Sequence, residues 1–236
     1  GEQPALEPVT LLAESEMVLA VAAAAKWRSV AELVRAAKAA HAASTAKGAK
    51  AAKGTKGTKG TKARRLRFAS VGEQSVSHLS AELFQRAAGI ELEHVVFEGA
   101  QPAVRALIAG EVDLYFGTPP TFLPHIRSGK VRALATTSAH RAATLPDLPR
   151  MADTFPGFDV VGWHAVFAPA GTSPAQVRRL RARILEVMSL AEVRSRLHRQ
   201  GFRLTSSTPS ELAERVKGDI ARWRALSGEA APARPG

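Results

Sequence analysis

A polar turn between a predicted strand and a predicted helix is the stretch of this sequence best suited to chemistry. It runs from Ser70 to His78, after the apolar run Leu66–Ala69 and before a segment with apolar residues at helical spacing. The first N–H groups of a helix lack backbone partners, and the helix dipole favours negative charge at that end. The turn therefore predicts an anion site, to which Ser70 and Ser75 add hydroxyl groups that bond a carboxylate directly or through water.

The same turn also has a purely structural interpretation. Ser75 or Ser77 can cap the helix that follows, because a serine side chain accepts a hydrogen bond from a backbone N–H of the first turn. Most turns between a strand and a helix share these features. From the residues alone, both interpretations stay open.

A second candidate turn lies at Gly117 and Thr118. It follows the predicted strand Val112–Phe116, and Pro119 and Pro120 prevent that strand from continuing. Thr118 can cap the helix after the prolines. Because ligands of open α/β sheets bind beyond the carboxyl ends of strands, Gly117 and Thr118 are predicted site residues.

Patterns of catalytic and metal centres were sought and not found in the sequence. It contains no G-x-S-x-G, G-x-G-x-x-G or H-E-x-x-H pattern, and it contains no cysteine. No two of its histidines lie four residues apart, as a helical metal pair requires; they are His41, His78, His94, His125, His140, His164 and His198. We therefore predict no catalytic residue, no metal site and no cofactor.

Short apolar runs alternate with helix-like segments through the middle of the chain. Such alternation is typical of parallel β-α-β units and predicts the α/β class. The predicted strands are Val95–Phe97, Val112–Phe116 and Val131–Ala135. Between the first two, a helix is indicated by apolar residues at i, i+3 and i+4 and by a glycine at its end, namely Val104, Leu107, Ile108 and Gly110.

Longer strings in the same region carry a resemblance to a known family. They are VDLYFGTPPTFLPHIRSGKVRALATTSAHR, LPDLPRMADTFPGF, GWHAVFAPAGTSP and IARW. Together they resemble the solute-binding receptors of tripartite tricarboxylate transporters, the Bug family, and the match extends from about Leu6 to Trp223. The resemblance implies a type II periplasmic binding protein-like fold, a venus flytrap of two lobes whose central β-sheets are flanked by helices.

The resemblance also implies how the chain divides. Residues 17–161 would form lobe two, while residues 1–16 and 162–236 would form lobe one. The short strands Glu7–Ala13 and Met17–Ala22 would carry the chain from the first lobe into the second. Family members have a further opening segment that builds most of lobe one, and no stretch here matches it, so we expect lobe one to be incomplete.

Bug receptors bind a ligand carboxylate with a small-residue S-x-G-x-G-S-x-x-H loop. The residues of this sequence that match the loop or complete it are Ser70, Val71, Gly72, Gln74, Ser75 and His78. Gln74 replaces the second glycine of the pattern, and Glu73 places a carboxylate beside the expected anion site. Likewise, Gly117 stands where many relatives carry aspartate.

One further residue is expected near the ligand. Trp163 lies on the predicted strand Val160–Ala168, which in the family returns the chain to lobe one along the cleft. An aromatic residue in a strand either faces such a cleft or packs in the core. Trp163 is included among the predicted ligand-binding residues, with the core position as the alternative.

The implied function is capture of a small carboxylate and its delivery to membrane transporter subunits. The protein would act in the periplasm by closing around the ligand, without catalysis, and as a monomer that can self-associate through its incomplete lobe. No run of eighteen apolar residues occurs in the sequence, and no leader peptide is visible after Gly1. A degenerate receptor that acts as a sensor or interaction protein is the first alternative.

The second alternative is a nucleic-acid binder that acts through a basic insert at residues 44–65. The net charge of the chain is +12, and this segment contributes eight lysines and arginines and no acidic residue. We expect a helix from Ser29 to about His41 and then disorder, because Gly-Thr-Lys repeats offer no apolar surface to bury. Clustered cations attract nucleic acid or anionic lipid, but a solvated tether is favoured without aromatics or a groove. We therefore predict no specific nucleic-acid partner.

Overall fold

The structure is a computed structural model that describes residues 6–51, 64–142 and 144–227, without the side chains of 45–51, 226 and 227. The chain divides into a smaller unit, residues 1–15 and 161–236, and a larger unit, residues 16–160. These boundaries lie within one residue of those expected from the sequence. That the smaller unit is an incomplete lobe stays a prediction.

Fifteen regular elements are described. In chain order they are β1 (Leu6–Glu16), β2 (Val18–Ala22), α1 (Val30–Ala51), β3 (Arg67–Ser70), α2 (Val76–Ala88), β4 (Glu93–Val96), α3 (Ala100–Ala109), β5 (Leu114–Gly117), α4 (Pro119–Arg127), β6 (Val131–Thr136), β7 (Val161–Pro169), α5 (Pro174–Ser189), α6 (Ala191–Arg199), β8 (Arg203–Leu204) and α7 (Pro209–Ser227). A single 3₁₀ turn, Met151–Asp153, precedes β7. Among the described residues, no helix has both the length and the apolar character needed to cross a membrane.

The larger unit is built on a five-stranded sheet in the order β4-β3-β5-β2-β6. β3 pairs in parallel with β4 and β5, as predicted. β2 lies between β5 and β6 and is antiparallel to both, so the sheet as a whole is mixed. The residues Val18–Val21 of β2 are completely buried, which fits a strand in the middle of a sheet.

The helices of the larger unit cover this sheet with the apolar faces that the sequence indicates. In α3, Val104 and Leu107 are completely buried and Ile108 packs against the same core. The helix ends at Gly110, which has the left-handed conformation expected of a terminal glycine. This predicted helix is therefore confirmed.

The helix α1 extends further than predicted. Its start is as expected, since Ser29 accepts a hydrogen bond from the N–H of Glu32. It was expected to end near His41, but it continues to Ala51. The alanines and lysines that follow His41 favour a helix, which explains the difference. Residues 52–63 of the expected disordered insert lie outside the described residues.

The last two residues of the expected insert, Arg64 and Arg65, are paired. The guanidinium of Arg64 donates to both carboxylate oxygens of Asp113, at 2.7 and 3.2 Å, and Arg65 lies 2.9 Å from Glu91. Asp113 also accepts the backbone N–H of Arg67 at 2.7 Å. Asp113 thus joins Arg64 to the start of β3, because the chain returns to β3 directly beside it.

The smaller unit contains a three-stranded sheet in the order β7-β1-β8, with β1 and β8 antiparallel. β1 and β2 belong to different sheets, so the chain passes from one sheet to the other at Met17, as the resemblance implied. The helix α5 begins at Ser173, which forms a capping box with Gln176. On this helix Val177 is buried, whereas Leu180 and Val187 are 43% and 53% exposed.

Candidate functional site

The predicted anion turn connects the end of β3 to the start of α2. Ser75 occupies the N-cap position of α2 with an extended backbone, and its hydroxyl accepts the N–H of His78 at 3.3 Å. The structural role predicted for Ser75 is therefore confirmed. This cap satisfies only the N–H of His78, so the other N–H groups at the start of the helix need other partners.

A chain of hydroxyl groups holds the turn together. The Ser70 hydroxyl lies 2.6 Å from Nε2 of His94 and accepts the N–H of Gly72 at 3.2 Å. The Ser75 hydroxyl donates to the carbonyl of Gly72 at 2.6 Å and lies 2.9 Å from the Ser77 hydroxyl. The latter accepts the N–H of Val71 at 3.3 Å. Ser70 is completely buried, so its hydroxyl acts within the turn rather than at its surface.

Three backbone N–H groups of the turn make no hydrogen bond to any residue that the structure describes. They belong to Glu73, Val76 and Ser77. By contrast, the N–H of Gln74 donates to Nδ1 of His78 at 3.1 Å, and that of Ser75 donates to the carbonyl of Gly72 at 3.3 Å. The turn can therefore offer three backbone donors to an anion at the positive end of the α2 dipole.

Two residues of the turn have positive φ angles. Gly72 has a φ of 135° and Gln74 a φ of 62°. Gln74 thus keeps the backbone shape that glycine allows at the second glycine position of the family loop. The left-handed conformation costs a residue with a Cβ about 1 kcal/mol. Gln74 keeps this conformation because other hydrogen bonds fix the turn around it.

Replacing Gln74 by glycine is expected to stabilise the larger unit slightly. The change removes the strain of the left-handed backbone, but glycine also loses more conformational entropy on folding, so a net gain of about 0.5 kcal/mol is expected. Urea unfolding followed by circular dichroism would measure it. Gln74→Val, with its β-branched side chain, serves as the matched control and should lower stability; a larger loss for Gln74→Gly than for Gln74→Val would contradict the assigned backbone.

A pair of stacked histidine rings adjoins the turn. The ring centroids of His78 and His94 lie 4.4 Å apart with an interplanar angle of 17°, and Phe68 stacks on His94 at 4.7 Å. Burial lowers the pKa of His94, and the charge of His78 lowers it further, while Glu82 and Glu73 act in the opposite direction. The pKa shift favours the neutral form of His94.

Sequence reasoning did not single out His94. It belongs to no residue spacing typical of a catalytic or metal site. It also lies on a strand, where a polar residue is usually interpreted as facing solvent. The signal that could have found it is the parallel register of β3 and β4, which pairs His94 with Phe68, two residues before Ser70. Register between strands is not visible in a single sequence.

The second candidate turn lies at the same edge of the sheet, because β3 and β5 are parallel neighbours. Gly117 is buried, and a Cβ there would lie 2.8 Å from the ring of Phe122 and 3.2 Å from that of Tyr115. The aspartate that many relatives carry therefore has no space here. Thr118 is the N-cap of α4 but makes no capping bond, contrary to expectation; its hydroxyl lies 3.0 Å from that of Thr121.

Trp163 belongs to the smaller unit. It lies on β7, is partly buried, and its indole N–H donates to the Asp219 carboxylate at 2.5 Å. Asp219 is also 3.4 Å from Arg215, which pairs with Glu14 at 3.1 Å. The polar end of Trp163 is thus part of an ionic network within this unit, and its contact with a ligand stays a prediction.

Metal ligands are not clustered in the part of the chain that the structure describes. No three side chains of histidine, cysteine, aspartate or glutamate come together there in an arrangement able to hold a metal ion.

Comparison with known proteins gives consistent matches over most of the chain. Residues 58–231 match the family described as "Tripartite tricarboxylate transporter family receptor". A curated relative, "Protein BugT" of Bordetella pertussis, is 35% identical over 156 residues, which are 66% of this chain and 48% of the relative. This chain thus spans about half of that relative's length.

Two solved structures are similar in fold. One is a protein of R. palustris "with adipate", with a TM-score of 0.77 and 26% identity, covering 94% of this chain and 68% of the other. The second is MatC from Rhodopseudomonas palustris "with bound malate", with a TM-score of 0.75 and 27% identity, covering 94% and 69%. The α/β fold with helix-flanked sheets is that of these periplasmic binding proteins, as predicted.

Proposed function

Because this chain belongs to the tripartite tricarboxylate transporter receptor family, we propose that it captures a small carboxylate and delivers it to a transporter of that type. The observation that carries the proposal is the turn between β3 and α2. Its three free N–H groups, from Glu73, Val76 and Ser77, form the kind of donor set that a carboxylate needs, and the positive end of a helix dipole lies with them.

The ligand class follows from the same donors and from two relatives. Backbone N–H groups at a helix start bind an anion without selecting the rest of the molecule, so the turn by itself favours any accessible carboxylate. The two similar structures contain adipate and malate, which are both dicarboxylates. We extend this chemistry to the present chain and expect a mono-, di- or tricarboxylate rather than a sugar or a cation.

Capture and delivery need no chemical step. Members of a receptor family bind and release their ligand, so the proposed mechanism is ligand-driven closure without catalysis. Location in the periplasm and contact with membrane transporter subunits are parts of the same proposal. The turn at Gly117 and Thr118 is proposed to complete the ligand site beside the residues of the anion turn, and ligand contact by Trp163 is a separate part of the proposal.

The anion turn carries one unfavourable feature. Glu73 is exposed and contributes a negative charge beside the three donors. Like charge opposes a bound carboxylate, although solvent weakens the effect when the side chain turns away. We therefore expect weaker binding than a turn without this glutamate would give, and ligands of moderate negative charge should be preferred over citrate-like ones.

A thermal-shift screen tests the proposal. The protein is heated with mono-, di- and tricarboxylates, with amino acids, and with dimethyl esters of the same acids as uncharged controls. Stabilisation that grows with the concentration of a carboxylate is expected, reaching about 2.7 kcal/mol at one hundred times its Kd, while the esters have no effect. Equal shifts with esters and acids, or no shift with any acid, would contradict the proposal.

A second function is favoured by the smaller unit. Leu180, Val187 and Leu190 on and after α5 are 43–54% exposed. Exposed apolar side chains in one region are typical of a surface that another chain covers. If the smaller unit is an incomplete lobe, the chain can act as an interaction protein, and sedimentation at rising concentration should then show self-association that Leu180→Glu reduces.

A further inference from the structure

The stacked histidines are joined to the anion turn at two points. Nε2 of His94 lies 2.6 Å from the Ser70 hydroxyl, and Nδ1 of His78 accepts the backbone N–H of Gln74 at 3.1 Å. A ring nitrogen that accepts a hydrogen bond carries no proton. Adding a proton to either ring therefore changes the hydrogen bonds of the turn itself.

We propose that His94 takes up one proton when a carboxylate binds in the turn, and that it is the positioning residue that directs the turn's hydroxyl groups. This inference rests on the proposed function and deepens it, because it assigns a regulation to the same site. It concerns how the turn responds to an anion, whatever the rest of the ligand is.

The hydroxyl groups reverse direction when His94 is protonated. In the neutral tautomer of His94 that carries its proton on Nδ1, Nε2 accepts the Ser70 hydroxyl hydrogen, and the serine oxygen accepts the N–H of Gly72. A protonated His94 instead donates to Ser70, whose hydrogen then turns to the carbonyl of Gly72, 3.2 Å away. In the structure that carbonyl accepts the Ser75 hydroxyl at 2.6 Å and the Ser75 N–H at 3.3 Å. A third donor exceeds its two lone pairs, and this competition frees the Ser75 hydroxyl to donate to a carboxylate.

The charges around the pair set the sign of the effect. The groups whose charge acts on His94 are Glu73 of the turn and His78 and Glu82 of α2, whereas Phe68 on β3 is neutral. Glu82 lies 3.7 Å from Nε2 of His78. Within β4, successive side chains alternate between faces, so Glu93 faces away from His94.

The surroundings of His94 set when its ring is charged. In the free protein, burial opposes a proton on His94, and a charge on the His78 ring, 4.4 Å away, would oppose it further. A bound carboxylate adds a negative charge nearby and favours the charged form. The proton comes from solvent, so by linkage the affinity for a carboxylate rises as pH falls.

Calorimetric titration of the full chain with adipate and with malate tests this inference. It is run between about pH 8 and pH 6, where histidine changes its charge, in two buffers of different ionisation enthalpy. We expect affinity to rise about fivefold towards pH 6, with a net uptake of protons that the two buffers reveal. His94→Gln should lose the rise, while His140→Gln, a change at an exposed histidine, should keep it.

Two outcomes would overturn the inference in different ways. Binding that is independent of pH and takes up no proton would overturn it and leave the proposed function intact. Absence of binding by either dicarboxylate at every pH would overturn both. If His94→Gln fails to fold, ring ¹⁵N shifts of the parent chain decide, because the inference requires an unprotonated Nε2 of His94 at pH 8 and its protonation with ligand at pH 6.

Discussion

Replacing Thr137 by valine is expected to lower the free energy of unfolding of the larger unit by about 2–3 kcal/mol. The Thr137 hydroxyl is completely buried, accepts the N–H of Met17 at 2.8 Å and donates to the carbonyl of Val160 at 2.6 Å. Valine has the same shape but no hydroxyl, so both backbone groups would lose a partner in a buried place. Urea unfolding followed by circular dichroism measures the loss.

The neighbouring residue supplies a matched control. Thr136 is also completely buried, but its hydroxyl has no hydrogen-bond partner among the described residues. Thr136→Val removes a buried hydroxyl that makes no hydrogen bond to a described residue, so the change should be neutral or slightly stabilising. Equal losses for the two variants would show that the hydroxyl of Thr137 does not hold the segments at Met17 and Val160, where the chain enters and leaves the larger unit.

Replacing Val76 by proline is expected to weaken carboxylate binding about tenfold or more while leaving the fold intact. Val76 is the first residue of α2, a position that proline occupies readily, and Ser75 before it has a ψ of 157°, which proline favours. The change removes one of the three free N–H donors and nothing else of comparable strength. A hydrogen bond to a charged group contributes about 1.5–3 kcal/mol, which sets the expected loss.

A proline at the start of another helix is the control for this prediction. Ala100 is the first residue of α3, and the anion turn does not include it. Ala100→Pro should therefore leave carboxylate affinity unchanged when the variants are compared by calorimetric titration with adipate and malate. Unchanged affinity of Val76→Pro, with its unfolding curve also unchanged, would show that the Val76 N–H does not contact the ligand.

Much of the fold follows from local patterns that a single sequence shows. The helix α3 is fixed by apolar residues at helical spacing and by Gly110, so it appears where predicted. The position of β2 in the sheet does not follow from local patterns, because the sequence of a buried strand does not show which strands lie beside it. The length of α1 beyond His41 was missed because low-complexity sequence suggested disorder, while alanine and lysine favour a helix.

The candidate site could likewise be predicted from the sequence only in part. The turn from Ser70 to His78 was visible as a strand, a polar glycine-containing stretch and a helix start. Which of its N–H groups stay free was not visible, because that depends on hydroxyl groups that fold back onto the turn. His94 was missed because its partner Phe68 is 26 residues away in the chain and is brought near only by strand register.

The central claim is that a carboxylate binds to the free N–H groups between β3 and α2. Amide ¹H–¹⁵N NMR spectra recorded during titration with adipate and malate test it directly, since each N–H reports its own hydrogen bond. The largest, saturable shifts are predicted for Glu73, Val76 and Ser77. Saturable binding whose largest shifts lie outside the turn would contradict the claim.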